Sequence, residues 1–243
     1  MSWAAMPASV TSVAISRAVQ IRANAWRPTL ELSATITIPP ACLAISRLMP
    51  AEPSWCAVAP AGIRFADEKR RIADAAAQTV TEGMAVGLTG GTTATEVARA
   101  LADRQRPTIV TNALNIASEL GVRPNIKLIM TGGLARSQSY ELSGPIAEAG
   151  LTGLNLDVAF IGVDGVDATV GCTTQDEAEA HTNAVMIRHT TRVVLVADSS
   201  KVGKVAFARI CEAREVDELI ADRAADAGAV RALTDAGVQV TLV

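Results

Sequence analysis

One short segment of this sequence, Leu88-Thr89-Gly90-Gly91-Thr92-Thr93, combines residue types that suit anion binding. Paired glycines let the backbone approach an anion closely, and a helix that begins there would offer its free N–H groups. The threonines add hydroxyl donors. The segment predicts a phosphate-binding loop, although it matches neither the P-loop nor the GxGxxG pattern, and a tight turn with a threonine cap is the structural alternative. The candidate ligand-binding residues here are Thr89, Gly90, Gly91, Thr92 and Thr93.

Further candidates for the same site lie where other apolar runs end, namely Thr111, Asn112, Gly132, Gly133, Gly162, Asp164, Thr173 and Lys201. Lys201 supplies a cation that would neutralise a phosphate. Glu177 stands at a predicted helix start, where the dipole stabilises carboxylates, and is also a candidate to reach a sugar hydroxyl. Two alternatives stay open: Asn112 suits a helix N-cap, and Gly132-Gly133 suits a simple turn.

These loops are positioned by a regular alternation of strands and helices. Short apolar runs occupy residues 84–88, 108–111, 126–131, 157–163, 192–197, 216–221 and 238–243. Helical patterns separate them, for example over 67–80, 176–190 and 226–236. The alternation predicts right-handed βαβ units and an open, mostly parallel Rossmann-like sheet with helices on both faces. In such a sheet the ligand lies outside the carboxyl ends of the strands, where the candidate loops fall.

Composition narrows the class of protein. The net charge is −3, and no apolar run approaches the ~18 residues that span a bilayer, so we expect a cytoplasmic protein without a membrane partner. The four cysteines are widely spaced and the two histidines form no cluster with them, so we expect reduced thiols and no bound metal or cofactor. His181 and His189 lie on one predicted helix and suggest no Ser–His–Asp set.

The first 60 residues differ in kind from the rest. They contain no Gly, Lys or Asp, yet they hold all three tryptophans and seven of the ten prolines. Lacking Gly and Asp, two of the residues that make tight turns, this stretch is poorly equipped to fold compactly. We therefore expect residues 1–60 to be an irregular or disordered segment and residues 61–243 to be a separate ligand-binding domain.

Five motifs in this order resemble the effector-binding domain of DeoR-family bacterial transcriptional regulators: GLTGGTTATEVARAL, IVTNALNIASEL, IMTGGLARSQSYELSGPIAE, DVAFIGVDGVDATVGCTT and VVLVADSSKVGKVAF. The resemblance runs from about Gly62 to the C-terminus. It implies a sugar-phosphate sensor related in fold to ribose-5-phosphate isomerase, homo-oligomeric, and joined to a helix-turn-helix that binds operator DNA, most often as a repressor of carbohydrate metabolism. It also implies that the loop residues named above contact the effector.

Two departures from the family pattern are visible. Many members have Asp where Thr89 stands, which bears on the contacts to sugar hydroxyls. Residues 1–60 contain no recognisable helix-turn-helix, and four arginines against two glutamates give only a mild positive charge. We therefore hypothesise that this segment is an out-of-frame translation of a DNA-binding region.

Two other classes of function compete with the sensor. An isomerase related to ribose-5-phosphate isomerase would share the fold, but Ile161 stands where that family carries a carboxylate, and no lysine occurs between Lys127 and Lys201. We therefore expect no enzymatic activity. A pure assembly role in a homo-oligomer is the third possibility.

Overall fold

The computed structural model describes residues 65–103 and 107–243. The expectations about residues 1–60, including the absence of a helix-turn-helix, lie outside the described residues, as do Cys42 and Cys56. No helix in the described ranges is long and apolar enough to cross a membrane.

Seven parallel strands form the main sheet, in the order β12-β11-β9-β6-β1-β2-β3. Their bounds are β1 Ala85–Leu88, β2 Thr108–Thr111, β3 Lys127–Met130, β6 Leu156–Ile161, β9 Thr190–Ala197, β11 Glu218–Ala221 and β12 Gln239–Leu242. Each of the seven apolar runs overlaps one of these strands, so the predicted open parallel sheet is confirmed.

Six α-helices accompany the strands in the described part of the chain. They are α1 Ala66–Gln78, α2 Thr92–Leu101, α3 Leu114–Leu120, α4 Pro145–Leu151, α5 Glu177–Arg188 and α6 Ala227–Asp235. The start of α5 reflects the side chain of Asp176, which caps the helix and therefore lies just outside it. The short helix α4 was not predicted.

Alternate residues of the central strands enter two different cores. Val158, Phe160 and Val194 pack on the face that carries α1, α2 and α3, whereas Ala159 and Leu195 pack on the face that carries α4, α5 and α6. Because successive side chains of a strand point to opposite faces, a strand buried on both faces must be apolar at every position. This explains the continuous apolar runs in the sequence.

Two small antiparallel units were missed by the sequence reading. One is a three-stranded sheet in the order β10-β8-β7, and the other is the β4-β5 ribbon. Their bounds are β4 Leu134–Ala135, β5 Leu142–Ser143, β7 Gly165–Asp167, β8 Gly171–Thr174 and β10 Ala208–Cys211. These strands have only two to four residues, so they carry little of the hydrophobic signal that marks a strand. Short 3₁₀ turns cover Ser199–Lys201 and Ala213–Glu215.

Candidate functional site

The strand order reverses between β1 and β6. The strands that follow β1 in the chain, β2 and β3, add on one side of it, whereas β6, β9, β11 and β12 add on the other. At such a switch point the connections from neighbouring strands diverge and leave a crevice at their carboxyl ends, where open α/β sheets bind ligands. The loop of residues 89–93 follows β1, and the loop of residues 162–164 follows β6.

The two switch-point loops touch each other through their glycines. The Gly162 N–H donates a hydrogen bond to the Thr89 hydroxyl at 2.9 Å. A Cβ at Gly162 would lie 2.5 Å from the Gly90 carbonyl oxygen, so only glycine allows this approach. Thr89 is fully buried and its hydroxyl already accepts a bond from the protein. Its position therefore favours a role in joining the two loops.

Helix α2 begins inside the first loop with an open N-terminus. Gly91 precedes it at φ 105°, a conformation that suits glycine, and no described side chain caps the helix. Gly91 and Thr92 are exposed, and Thr93 is buried. The first N–H groups of an α-helix have no partner inside the helix, and the dipole favours a negative charge there. This end of α2 is therefore suited to bind an anion.

Lys201 brings a positive charge to the loop after β6. It stands in the 3₁₀ turn that follows β9, and its Nζ lies 3.1 Å from Asp164 Oδ1. Asp164 Oδ2 also accepts hydrogen bonds from the Thr174 hydroxyl and the Gln175 N–H, each at 3.2 Å. Both partners of the ion pair remain about one third exposed, at 34% and 35%. The cation is therefore accessible to a ligand and held in place by Asp164.

Thr111 and Asn112, at the end of β2, bond to other parts of the protein and do not cap a helix. Helix α3 starts at Leu114 after Ala113, so the interpretation of Asn112 as its N-cap was wrong. The Asn112 amide is fully buried and donates to Glu141 Oε2 at 3.2 Å and to Asn183 Oδ1 at 3.1 Å. The Thr111 hydroxyl donates to the Leu88 carbonyl oxygen at 2.7 Å and thereby holds β2 against the end of β1.

Glu141 is a charged residue of this region that the sequence reading missed. Its carboxylate is buried, accepts hydrogen bonds from the side-chain amides of Asn112 and Asn183, and accepts one from the Gly90 N–H. Burial, and secondarily the negative charge of Glu179, raises the pKa of Glu141 to about 7. A single Glu in a polar stretch carries no pattern that predicts burial, so only the folded structure identifies it.

Gly132 and Gly133 shape a turn at the edge of the sheet. Both have positive φ, and a Cβ at Gly133 would lie 2.8 Å from the Ser143 carbonyl oxygen. They follow β3, which is separated from β1 by β2, so the turn lies two strands from the crevice. Their position suits the alternative of a simple turn, which lets the backbone approach β5.

Two further predicted site residues are Thr173, in the small three-stranded sheet, and Glu177, at the start of α5. The Thr173 hydroxyl is buried, donates to the Gly165 carbonyl oxygen at 3.1 Å and accepts from the Ala206 N–H at 2.8 Å. Glu177 is exposed at the start of α5. Two residues later, Glu179 is buried and receives Arg136 at 3.1 Å together with the Ser139 hydroxyl, a cluster the sequence reading missed.

The structure thus brings only some of the predicted site residues together. The others have the separate surroundings described above: Thr111, Asn112, Gly132, Gly133, Thr173 and Glu177. The ends of β1, β6 and β9 bring one set to the switch point: Thr89, Gly90, Gly91, Thr92, Thr93, Gly162, Asp164 and Lys201. Within residues 65–103 and 107–243, no three His, Cys, Asp or Glu side chains form a group that could hold a metal ion. The crevice combines hydrogen-bond donors at the start of α2 and the cation of Lys201, which suit an anion, with the carboxylate of Asp164, which can accept from hydroxyl groups.

Comparison with known proteins identifies the family. Residues 64–223 match the model of the DeoR C terminal sensor domain. The chain belongs to the DeoR family. It is 37% identical over 172 residues to the HTH-type transcriptional regulator GlpR of Haloferax volcanii, covering 71% of this chain and 67% of that protein. It is 31% identical over 176 residues to the glycerol-3-phosphate regulon repressor of Escherichia coli K12, covering 72% and 70%.

The DeoR-family match covers about two thirds of each relative. Three curated relatives are matched over 65%, 67% and 68% of their own lengths. Among solved structures, ribose 5-phosphate isomerase A of Methanocaldococcus jannaschii aligns with 22% identity and a TM-score of 0.43, covering 58% of this chain and 56% of that one. This likeness is too distant to bear on the function of the DeoR-family chain.

Proposed function

We propose that this DeoR-family chain is a transcriptional regulator whose domain, residues 61–243, binds a phosphorylated sugar or a related metabolite at the switch point. The phosphate would lie against the N-terminus of α2, and Lys201 would contribute a positive charge. The chain would bind its effector without transforming it. In a regulator that has a working DNA-binding domain, the change in occupancy would alter operator binding, most often to relieve repression.

The open start of α2 is the observation that carries this proposal. Its exposed residues Gly91 and Thr92 offer N–H groups that no described side chain caps. Uncapped helix ends usually find a side chain, water or a ligand as partner. A tetrahedral dianion accepts several N–H bonds at once and interacts favourably with the helix dipole, so a phosphoryl group suits this end better than a neutral group.

The ion pair of Lys201 with Asp164 supports the same proposal. In the absence of ligand, Asp164 balances the charge of Lys201 at 3.1 Å. An incoming phosphate would offer Lys201 a partner of higher charge, while Asp164 would keep its bonds to Thr174 and Gln175. Sugar hydroxyl groups could then donate to the Asp164 carboxylate. Such a site would select for a ligand that carries both a phosphate and hydroxyl groups.

The carboxylates of the region give the enzyme alternative little support. An aldose–ketose isomerisation needs a base within hydrogen-bond reach of a substrate carbon. Glu141 is only 6% exposed, and its oxygens accept bonds from Asn112, Asn183 and Gly90. Asp164 is bonded to Lys201, Thr174 and Gln175. The relatives reported above are named as transcriptional regulators.

A thermal-shift screen of the full chain tests the proposal. The panel contains sugar phosphates and their unphosphorylated parents, and it includes glycerol 3-phosphate because one relative is named for that regulon. At about 100 times the Kd, the ligand should add about 2.7 kcal/mol of stability. Lys201→Ala should weaken binding by about tenfold to hundredfold through loss of a charge-assisted hydrogen bond. Lys204→Ala, which removes an exposed lysine three residues away, should change the affinity little.

Each outcome of the screen separates the alternatives. Stabilisation by a phosphorylated member of the panel, without chemical turnover and weakened in Lys201→Ala, supports the sensor. Conversion of the ligand would instead support the isomerase. A lack of response to every phosphorylated compound, in a chain that unfolds cooperatively, would contradict the phosphate site.

We propose further that the regulator acts in the cytoplasm as a homo-oligomer, and that residues 1–60 do not supply a working DNA-binding domain. The second statement rests on the composition of that segment, which lacks Gly, Lys and Asp. If it is correct, the chain should bind its operator with no more affinity than unrelated DNA at the same salt concentration. Specific binding would contradict it. An upstream coding sequence without an alternative frame that encodes a helix-turn-helix would contradict the out-of-frame origin of the segment.

A further inference from the structure

Glu141 connects three parts of the molecule through one buried carboxylate. It stands between β4 and β5, in the segment that also carries Arg136. Its Oε2 accepts from the amides of Asn112, at the end of β2, and Asn183, on α5, each at 3.2 Å. It also accepts from the Gly90 N–H, in the loop that leads into α2. A Cβ at Gly90 would overlap the Glu141 side chain, so the two are in direct contact.

We propose that Glu141 is a positioning residue that makes the affinity of the switch-point site for a phosphate depend on pH. The inference rests on the proposed function. Glu141 fixes the Gly90 backbone, and Gly90 is followed directly by Gly91 and Thr92, the residues that would hold the phosphate. Because the carboxylate contacts this loop directly, its negative charge would lie close to the bound phosphate.

The groups around Glu141 leave its charge poorly compensated. The charged groups that face it are Glu179 on α5 and Arg136 on the β4–β5 connection. Arg136 is already engaged by Glu179 at 3.1 Å and by Asp176 at 3.1 Å. The loop after β1, the end of β2 and the remaining contact on α5 present only the neutral N–H groups of Gly90, Asn112 and Asn183. Burial together with Glu179 raises the pKa of Glu141 to about 7, within the physiological range.

An anion bound beside this carboxylate would raise its pKa further, because two negative charges at short distance disfavour each other. Binding would then be accompanied by proton uptake at Glu141. By linkage, the affinity is highest below a pH of about 7, where Glu141 is already neutral, and it falls as the pH rises through that value. Each pKa unit by which the ligand raises Glu141 changes the limiting Kd about tenfold.

Sulfate is the probe that isolates this effect. It is a tetrahedral dianion like a phosphoryl group, but its charge stays constant between about pH 6 and pH 8.5, whereas a phosphomonoester titrates near 6. Sulfate would be titrated into the full chain at both pH values at constant ionic strength, and binding would be followed by the amide NMR signals of Gly91 and Thr92. We expect the Kd to increase about tenfold from the lower to the higher pH in the wild-type protein.

Two variants identify the responsible group. Glu141→Gln keeps the size of the side chain but cannot ionise, so its Kd for sulfate should be nearly the same at both pH values. Glu82→Gln removes an exposed carboxylate in the turn before β1, at the other end of that strand, and should keep the wild-type dependence. An equal dependence on pH in Glu141→Gln and wild type would overturn the inference and leave the proposed phosphate site intact. Failure of sulfate to shift the α2 amides at either pH would overturn both.

A second measurement keeps the inference testable if Glu141→Gln does not fold. The carboxyl carbon of Glu141 can be followed by NMR in the wild-type chain across the same pH range. Its midpoint should lie near 7 without sulfate and move upwards with saturating sulfate. A midpoint that sulfate leaves unchanged, or one in the ordinary range of a Glu near 4.3, would overturn the proton linkage.

Discussion

Two helices of this protein begin close to the same loop, but only one of them has a side chain that caps its N-terminus. Helix α5 is capped by Asp176, whose carboxylate accepts from the N–H groups of Ala178 at 3.0 Å and Glu179 at 3.1 Å. Helix α2 is preceded by Gly91 and has no side-chain cap in the described structure. The loop of residues 162–164 contacts the residues that lead into both helices, since Gly162 bonds to Thr89 and Asp164 bonds to Gln175.

The difference shows how one sequence can both build a helix and reserve a binding site. At α5 the protein supplies its own anion, which satisfies the free N–H groups and stabilises the helix. At α2 glycine takes the place of the usual Ser, Thr, Asp or Asn cap, and the φ of 105° at Gly91 disfavours any residue with a side chain. The stabilisation that a cap would provide is given up, and an external anion can take its place.

The largest expected effect on stability comes from Glu141, which holds the loop before α2. Because its pKa rises from 4.5 to about 7 on folding, it stabilises the protein fully below about pH 4.5 and loses this contribution as the pH rises through about 7. The change amounts to roughly 3 kcal/mol. Urea unfolding at about pH 5 and pH 8 should therefore show wild type losing roughly 3 kcal/mol relative to Glu141→Gln.

Glu82→Gln serves as the control for this measurement, because it removes an exposed carboxylate that has no such environment. Titration of the other acidic groups cancels when each variant is compared with wild type at the same pH. A free-energy difference between wild type and Glu141→Gln that stays constant over this range would show that Glu141 ionises as readily in the folded protein as in the unfolded chain.

A carboxylate placed at the start of α2 would break the contrast between the two helices. Thr92→Asp puts a negative charge in the first turn of α2, where Thr92 is exposed. It should stabilise the fold by about 0.3–1 kcal/mol through the helix dipole. It should also weaken the binding of sulfate or a phosphorylated effector by about a hundredfold, because the new charge occupies and repels the anion site. Thermal unfolding and a binding titration measure the two effects separately.

Two further variants distinguish charge from shape in this test. Thr92→Asn adds a neutral side chain of similar size and should keep most of the affinity. Ala227→Asp makes the matched change in the first turn of α6 and should stabilise the fold without affecting the ligand. An unchanged affinity in Thr92→Asp would mean that the anion does not bind at the start of α2.

The sequence predicts the parallel sheet well because burial on both faces leaves a strong signal. The strand Thr108–Thr111 lies at its predicted residues, and the runs 157–163 and 192–197 overlap most of β6 and β9. The small antiparallel strands, such as Leu142–Ser143, carry no comparable signal. They are held by contacts with distant segments, for example the bond from the Leu142 N–H to the Asn112 carbonyl oxygen, which no local pattern contains.

For the site, the sequence predicts backbone features better than side-chain roles. Gly90 and Gly162 were both predicted at the site, and they lie against each other at the switch point. The buried partners Glu141 and Asn183 were missed, since their importance depends on which distant residues face them. Asn112 was predicted as a ligand-binding residue or a helix N-cap, and its bond to a residue 29 positions later could not be predicted from one sequence.

The smallest expected effect concerns the capped helix. Asp176→Ala removes the side-chain bonds to the Ala178 and Glu179 N–H groups and the contact with Arg136 at 3.1 Å, so it should destabilise the fold by about 1 kcal/mol. The ligand affinity should stay within about twofold, because the anion of α5 is structural and the site of α2 remains intact. Asp176→Asn keeps an acceptor for the cap and should lose less stability, as measured by urea unfolding. If Asp176→Ala instead weakened effector binding as strongly as Lys201→Ala, the start of α5 would belong to the ligand site. The assignment of ligand binding to the start of α2 alone would then be wrong.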